Sequence, residues 1–283
     1  MKNLLQYIHI IALGLMLLSA CSEDEKFEKT IFDTTPPTLT GLDLWIMDSI
    51  TSPYNIEVIY KWKDVETDLG RNLTPPFEDK ADGFVKILKS IWIEPYINEA
   101  GLTFFNTLSP KQLLLIGSSA YNSNGTITLG SAEGGRKIVI YEINQLDKKD
   151  KVRLRRYMKT IHHEFGHIAN QTIEIPVEYE MVTPDYRSDW NNVSEQVAYD
   201  AGFISPYAMS APSEDFVEML AIFLTNSKSE WEALLNKPTT DAGKIALKTK
   251  QDMVISYYKT IWNIDLYSLQ SRCEAAINNV TNS

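Results

Sequence analysis

Five residues, His163-Glu164-Phe165-Gly166-His167, constrain this chain more than any other stretch. They form a chemical unit only on an α-helix, where side chains four apart stack on one face and two imidazoles can close on a single ion. Glu164 then sits one step around the helix, within reach of a water on that ion but out of line to be a ligand. Two neutral nitrogens and a proton-accepting carboxylate suit Zn²⁺, a borderline-soft cation. The motif lacks a third protein ligand, which must arrive from elsewhere and leave one position open for water.

A helix is expected from about Asp150 to Asn170, with Leu154, Tyr157, Met158 and Ile161 as its inward stripe. His162 falls one residue before the ligand position and is read as structural or solvent-facing. Gly166 is read as a point where another segment comes close to the helix. The downstream candidates for the third ligand are Glu174, Glu178, Glu180, Asp185, Glu195, Asp200, Glu214, Asp215 and Glu218. All four histidines lie at or before His167, so the set is two histidines and a carboxylate. Glu214 is the choice, because it opens an expected helix over Glu214–Asn226 that can pack antiparallel to the first and aim a carboxylate at the pair. Phe216, Val217, Leu220, Phe223 and Leu224 give that helix its apolar side, with Ser213 as its expected N-cap. Glu218, one turn on, is the main rival as ligand; otherwise it would accept a hydrogen bond from a ligand imidazole and fix its tautomer.

Elsewhere, Ile56, Val58, Tyr60 and Trp62 alternate, so Tyr54–Trp62 reads as a strand, followed by a loop over Asp64–Asp79. A long helix is expected over Lys80–Ala100 and a buried strand over Gln112–Gly117. Gly125–Leu129 and Lys137–Tyr141 are expected to pair as a hairpin across the turn-rich Gly130–Gly135. Ile138–Tyr141 is also the expected exposed edge for pairing with a substrate backbone. Residues 171–210 read as a long irregular segment, and Glu230–Asn279 as mostly helical. Strands first and helices after imply an α+β domain over 42–283, a small mixed sheet followed by a helical lobe.

Residues 1–20 read as an export signal, with Lys2 before an apolar run, Ile8–Leu18, too short to span a bilayer permanently. The run ends in Leu18-Ser19-Ala20-Cys21, which resembles a bacterial lipobox, and acyl chains on Cys21 would hold the protein on a membrane surface. Ser22-Glu23-Asp24-Glu25-Lys26 resembles the acidic export signal that sends Bacteroidetes lipoproteins to the outer face of the outer membrane. Residues 21–41 make the tether, with a Thr34-Thr35-Pro36-Pro37-Thr38 spacer. Loss of Lys2 takes the formal charge from −10 to −11, which argues against a nucleic-acid partner. With Cys21 lipidated, Cys273 has no disulfide partner, so the fold rests on its core and on metal.

The motif, then Gly202-Phe203-Ile204-Ser205-Pro206-Tyr207, then Glu214-Asp215-Phe216-Val217-Glu218, resemble the gluzincin metallopeptidases. The closer resemblance, over nearly the whole chain, is to zinc metallohydrolase lipoproteins that Bacteroidetes encode near nutrient-import systems. The zinc-binding half also resembles, more distantly, the anthrax lethal factor catalytic domain. There a tyrosine stands seven residues before the ligand glutamate, the place Tyr207 holds before Glu214. The resemblance implies a zincin-like fold, one catalytic Zn²⁺ and hydrolysis of a protein or peptide substrate, with an outer-membrane nutrient-import complex as partner. In that chemistry Glu164 takes a proton as water attacks a polarised carbonyl and passes it to the leaving amine. The Tyr207 hydroxyl would serve the oxyanion. The reading from a different class is a zinc-binding lipoprotein that serves the import complex without turnover, which an intact Glu164 disfavours.

Overall fold

The computed structural model describes residues 38–122, 125–133 and 136–283. The lipidation position Cys21 lies outside the described residues. From Thr40 onward the chain forms one compact unit. It opens with a helix rather than a strand: α1 covers Gly41–Ile46 and continues through a π-helical turn, Met47–Thr51, to Ser52–Tyr54. Thr40 and Asp43 cap its start reciprocally. The strand expected over 54–62 shrinks to β1, Glu57–Ile59, because Tyr54 still belongs to the helix and Asn55 turns the chain at φ 55°. Asparagine is one of the few side chains that tolerates that conformation.

Helix α2, Glu78–Leu88, runs through a second π-helical turn, Lys89–Ile93, into α3, Glu94–Leu108, which breaks at Gly101 (φ 85°). Strands β2 (Gln112–Leu115), β3 (Ala120–Tyr121), β4 (Ile127–Thr128), β5 (Gly130–Glu133) and β6 (Lys137–Ile140) follow. The rest is helical: α4 (Lys151–Thr172), α5 (Glu178–Val182), α6 (Glu195–Asp200), α7 (Pro212–Thr225), α8 (Lys228–Leu235), α9 (Asp241–Trp262) and α10 (Leu266–Thr281). The α+β class holds, but helices stand on both sides of the strands in sequence, so strands do not come first.

Among the described residues the larger sheet has the order β1-β2-β6-β5, parallel except for β5, which runs antiparallel on β6. The interior strands are continuous apolar runs because both faces are covered. Leu113, Leu115, Ile138 and Ile140 enter the main core, while Leu114 and Val139 join Ile59, Ile116 and Tyr141 in a smaller cluster.

Two strand expectations are corrected. The partner of β6 is Gly130–Glu133, and Ile127–Thr128 pairs instead with Ala120–Tyr121. Gly130 explains the shift: a Cβ there would stand 2.2 Å from Thr160 Cγ2 on α4 and 2.9 Å from the Val139 carbonyl oxygen. The glycine that reads as a turn residue is therefore a strand residue pressed under a helix. Since β6 is paired on both sides, Ile138–Tyr141 is not an open edge; the edge strands of this sheet are β1 and β5.

The motif helix α4 buries Leu154, Tyr157, Met158 and Ile161 as its spacing predicts, and Phe165 and Ile168 beyond them. Phe165 meets Trp92 and Tyr96 edge-on, at ring-centroid distances of 5.4 and 5.0 Å, which fastens α4 to the long helix before it. Such aromatic pairs add about 0.5–1.5 kcal/mol each beyond the area they bury. Helix α7 packs along α4, and Gly166 is where they meet: a Cβ there would stand 2.9 Å from Val217 Cγ1 and 3.2 Å from Leu220 Cδ2. The N-cap of α7 is Ala211, without a side-chain bond, and Ser213 lies inside the first turn, so the expected Ser213 cap is absent. Pro212 at the first helical position supplies the start instead, since its fixed φ is already helical and its missing N–H would have had no intrahelical partner.

Candidate metal centre

His163 and His167 leave α4 on one face, with ring centroids 4.9 Å apart. Their Nε2 atoms lie 3.0 and 3.3 Å from the same oxygen, Glu214 Oε2, at the start of α7. One ligand atom from each of the three side chains falls within 4.8 Å of the others. Zinc ligands at bond lengths of ~2.0–2.1 Å around a tetrahedron stand ~3.3 Å apart, close to the two separations found. The donor set of two imidazole nitrogens and a carboxylate oxygen is also what zinc takes at a catalytic site.

Glu218, one turn along α7, closes the arrangement from behind. Its Oε2 lies 3.2 Å from His163 Nδ1, which turns Nε2 of that ring toward Glu214. Its Oε1 accepts a hydrogen bond from Ser205 Oγ at 2.9 Å and lies 2.6 Å from Lys159 Nζ. Burial pushes the Glu218 carboxyl up, but Lys159 and His163 outweigh it and hold the group at about 2. Burial pushes His163 down, yet Glu214 and Glu218 raise it to about 9. Glu214 is raised by burial and drawn below the usual carboxylate range by His163 and His167. A proton and a metal ion thus compete for the same histidine nitrogens. Three carboxylates, Glu164, Glu214 and Glu218, face one ammonium, Lys159. With neutral histidines, two negative charges are left over, which a divalent cation balances.

Glu164 lines a cleft of about 320 Å³ together with Lys159, His163, Glu218, Trp190 and Tyr207. The opposite wall is Asn122, Thr126 and the stretch from Ile127 to Gly130, at the entrance to the edge strand β5. The Tyr207 ring centroid is 5.7 Å from that of His163, and Trp190 meets Tyr207 edge-on at 4.9 Å. Burial, followed by the charge of Glu214, raises the Tyr207 phenol, so it stays a neutral donor.

The structure therefore brings together Glu164, Tyr207, His163, His167, Glu214 and Glu218. The other carboxylates weighed from sequence stand apart. Glu174, Glu178, Glu180, Asp185 and Glu195 are exposed, Asp200 accepts from Thr239, and Asp215 is buried against Lys250. His162 is fully buried with Nδ1 3.2 Å from the Tyr96 hydroxyl, and burial pushes it down to about 3; its role is structural and it does not face solvent. Sequence reasoning missed Lys159, Ser205 and Trp190. A signal existed for Lys159, which stands four residues before His163 and so on the same helical face. Ser205 lies in the 202–207 segment that carries the resemblance, which gave its place but no role, and Trp190 arrives on an irregular segment with no signal.

Comparison with known proteins agrees with this geometry. The model of a family described as "Putative zinc-binding metallo-peptidase" matches residues 35–267. The fold is similar to the crystal structure of a putative zinc-binding metallo-peptidase from Bacteroides caccae, with a TM-score of 0.74 and 34% identity. That match covers 86% of this chain and 93% of the other. No curated protein matches.

Proposed function

This chain belongs to that putative zinc-binding metallo-peptidase family, and from that premise we propose that it is a gluzincin-type peptidase whose working groups are those gathered in the cleft. His163, His167 and Glu214 would hold one zinc ion, with Glu218 orienting His163. Bound there, zinc supplies Lewis acidity, polarising a carbonyl and acidifying a water. Glu164 accepts the proton of the attacking water and returns it to the leaving amine, the transfer for which its place on the cleft wall suits it. Tyr207, kept protonated, donates to the developing oxyanion. The strand β5 ends the sheet on the cleft side, where an extended peptide could add a strand.

The observation that carries this reading is the convergence of His163, His167 and Glu214 beside Glu164 in an open cleft. The test is metal analysis of the purified protein followed by cleavage of a mixed peptide library with and without chelator. One zinc per chain and chelator-sensitive cleavage are expected. Stoichiometric zinc with no cleavage, in wild type and Glu164→Ala alike, would favour the zinc-binding lipoprotein without turnover. Tyr207→Phe should lower turnover by ~10²–10³, and wild-type rates in that variant would remove the tyrosine from the mechanism.

The same reading puts the protein on the outer face of the outer membrane, held by acyl chains at Cys21 and working beside a nutrient-import complex. Release of the Cys21→Ser variant from the membrane fraction would be the expected result.

A further inference from the structure

We infer that Lys159 makes this cleft selective for substrates that carry a carboxylate beside the scissile bond, either an acidic side chain or the chain's own terminus. The inference rests on the peptidase reading above and adds a substrate class to it. Lys159 stands one helical turn before His163, and its side chain is 37% exposed where its partner Glu218 is 1% exposed. Its ammonium lines the same cleft as Glu164 and Tyr207. Among the described residues that line the cleft it is the only lysine or arginine; the far wall is Asn122, Thr126, Thr128 and aliphatic side chains. Arg71 stands behind that wall, with Nη1 3.4 Å from Thr128 Oγ1, but it is paired with Asp68 at 2.9 Å, which leaves Lys159 as the cation of the cleft lining.

The geometry suits recognition better than neutralisation alone. Glu218 is engaged by His163 and Ser205 as well as by Lys159. An ammonium carries three donors, and Glu218 is the partner found for Lys159 among the described residues. Lys159 also lines the cleft, so its ammonium can serve a second acceptor there. The bridge to a fully buried carboxylate also fixes the lysine chain in advance, which lowers the ordering cost of binding an anion. The protein as a whole carries a formal charge of −10, which repels acidic substrates at long range, so acceptance of one requires a local cation.

The experiment compares kcat/KM of the zinc-loaded full chain on peptide pairs that differ only in Glu against Gln next to the cleaved bond. A second pair differs in a free against an amidated C-terminus and separates the two sources of carboxylate. A charge-assisted hydrogen bond predicts a preference of about tenfold or more for one carboxylate member. That preference should fall below about twofold in Lys159→Met and return in Lys159→Arg. A role confined to holding Glu218 would slow both members of a pair equally and leave the ratio unchanged. Equal wild-type rates on both pairs, or a preference that survives in Lys159→Met, would overturn the inference. If no peptide is cleaved, the peptidase reading fails separately, and the decision passes to binding. Calorimetry with a peptide hydroxamate bearing a side-chain carboxylate, against its carboxamide twin, should then show the same Lys159-dependent preference. Equal affinities there would overturn the inference too.

Discussion

Glu214 and Asp215 are neighbours in sequence, yet they serve two regions built on opposite principles. Glu214 is partly exposed beside His163 and His167, in a cluster where negative charge exceeds positive. Asp215 turns into the protein and meets Lys250 at 2.5 Å, with both side chains fully buried. Lys250 also donates to the Gly202 carbonyl at 2.9 Å and stands 3.8 Å from the Phe203 ring centroid, while Tyr186 donates to Asp215 at 3.1 Å. Burial pushes the Asp215 carboxyl up to about 6 and the Lys250 ammonium down, and their mutual attraction opposes both shifts. One acid facing one base is balanced and sealed; its desolvation cost returns little stability beyond fixing how the parts fit. The cleft cluster is unbalanced and open, and that imbalance is a standing demand for a cation. The sealed pair nevertheless serves the open one, because Gly202 begins the loop that carries Ser205 onto Glu218.

The sharpest way to break this contrast is at the base. Glu164→Gln should lower turnover by ~10²–10⁴ with zinc content unchanged; if turnover persists, the open cluster has no proton-transfer role and differs from the sealed pair only in exposure. Next in size, Lys250→Met should cost ~3–5 kcal/mol in urea unfolding, because it leaves Asp215 buried without its counter-ion. Lys250→Met combined with Asp215→Leu should recover most of that loss, and a single variant within 1 kcal/mol of wild type would show that the pair fixes nothing. The metal-free protein should also respond to pH through the open cluster. The folded value for His163, about 9, lies above the ordinary imidazole value of 6.5. Its contribution is therefore complete below about 6.5 and lost as pH rises through about 9. Melting temperature without zinc should fall across that window and stay flat in His163→Phe. The smallest effect belongs to Ser205→Ala, which removes one bond to a carboxylate, ~1.5–3 kcal/mol, and should weaken zinc binding without disturbing Lys250.

The legible part of the site was the part written on helices. Spacing alone put His163 and His167 on one face, and the return of helical periodicity at Phe216 and Val217 pointed to Glu214 and Glu218. Their convergence in space is what the structure adds. The sheet was less legible for an identifiable reason. Gly130 reads as a turn residue, but its missing side chain is required by Thr160, thirty positions away, and no local pattern records that contact. The error over Ile138–Tyr141 has the same origin, since an apolar run does not say which of its sides is already paired. Ser213 failed as a cap because Pro212 starts α7 by restricting the backbone, a route that needs no side-chain acceptor. The sealed pair was invisible because Asp215 and Lys250 are thirty-five positions apart and meet only through tertiary packing.

The close approach at Gly166 sets the gauge of the ion site. Whatever spacing α4 and α7 keep is the spacing Glu214 keeps from the two histidines, and a methyl group at position 166, 2.9 Å from Val217 Cγ1, needs a shift of a few tenths of an ångström in that side chain or in α7. That displacement is of the same order as the difference between bond lengths to zinc, ~2.0–2.2 Å, and to calcium, ~2.3–2.6 Å. In the proposed zinc site, discrimination by ionic size would thus be lodged in a residue that offers no ligand atom. Gly166→Ala, titrated with a series of divalent ions of increasing radius, should lose affinity most for the smallest of them.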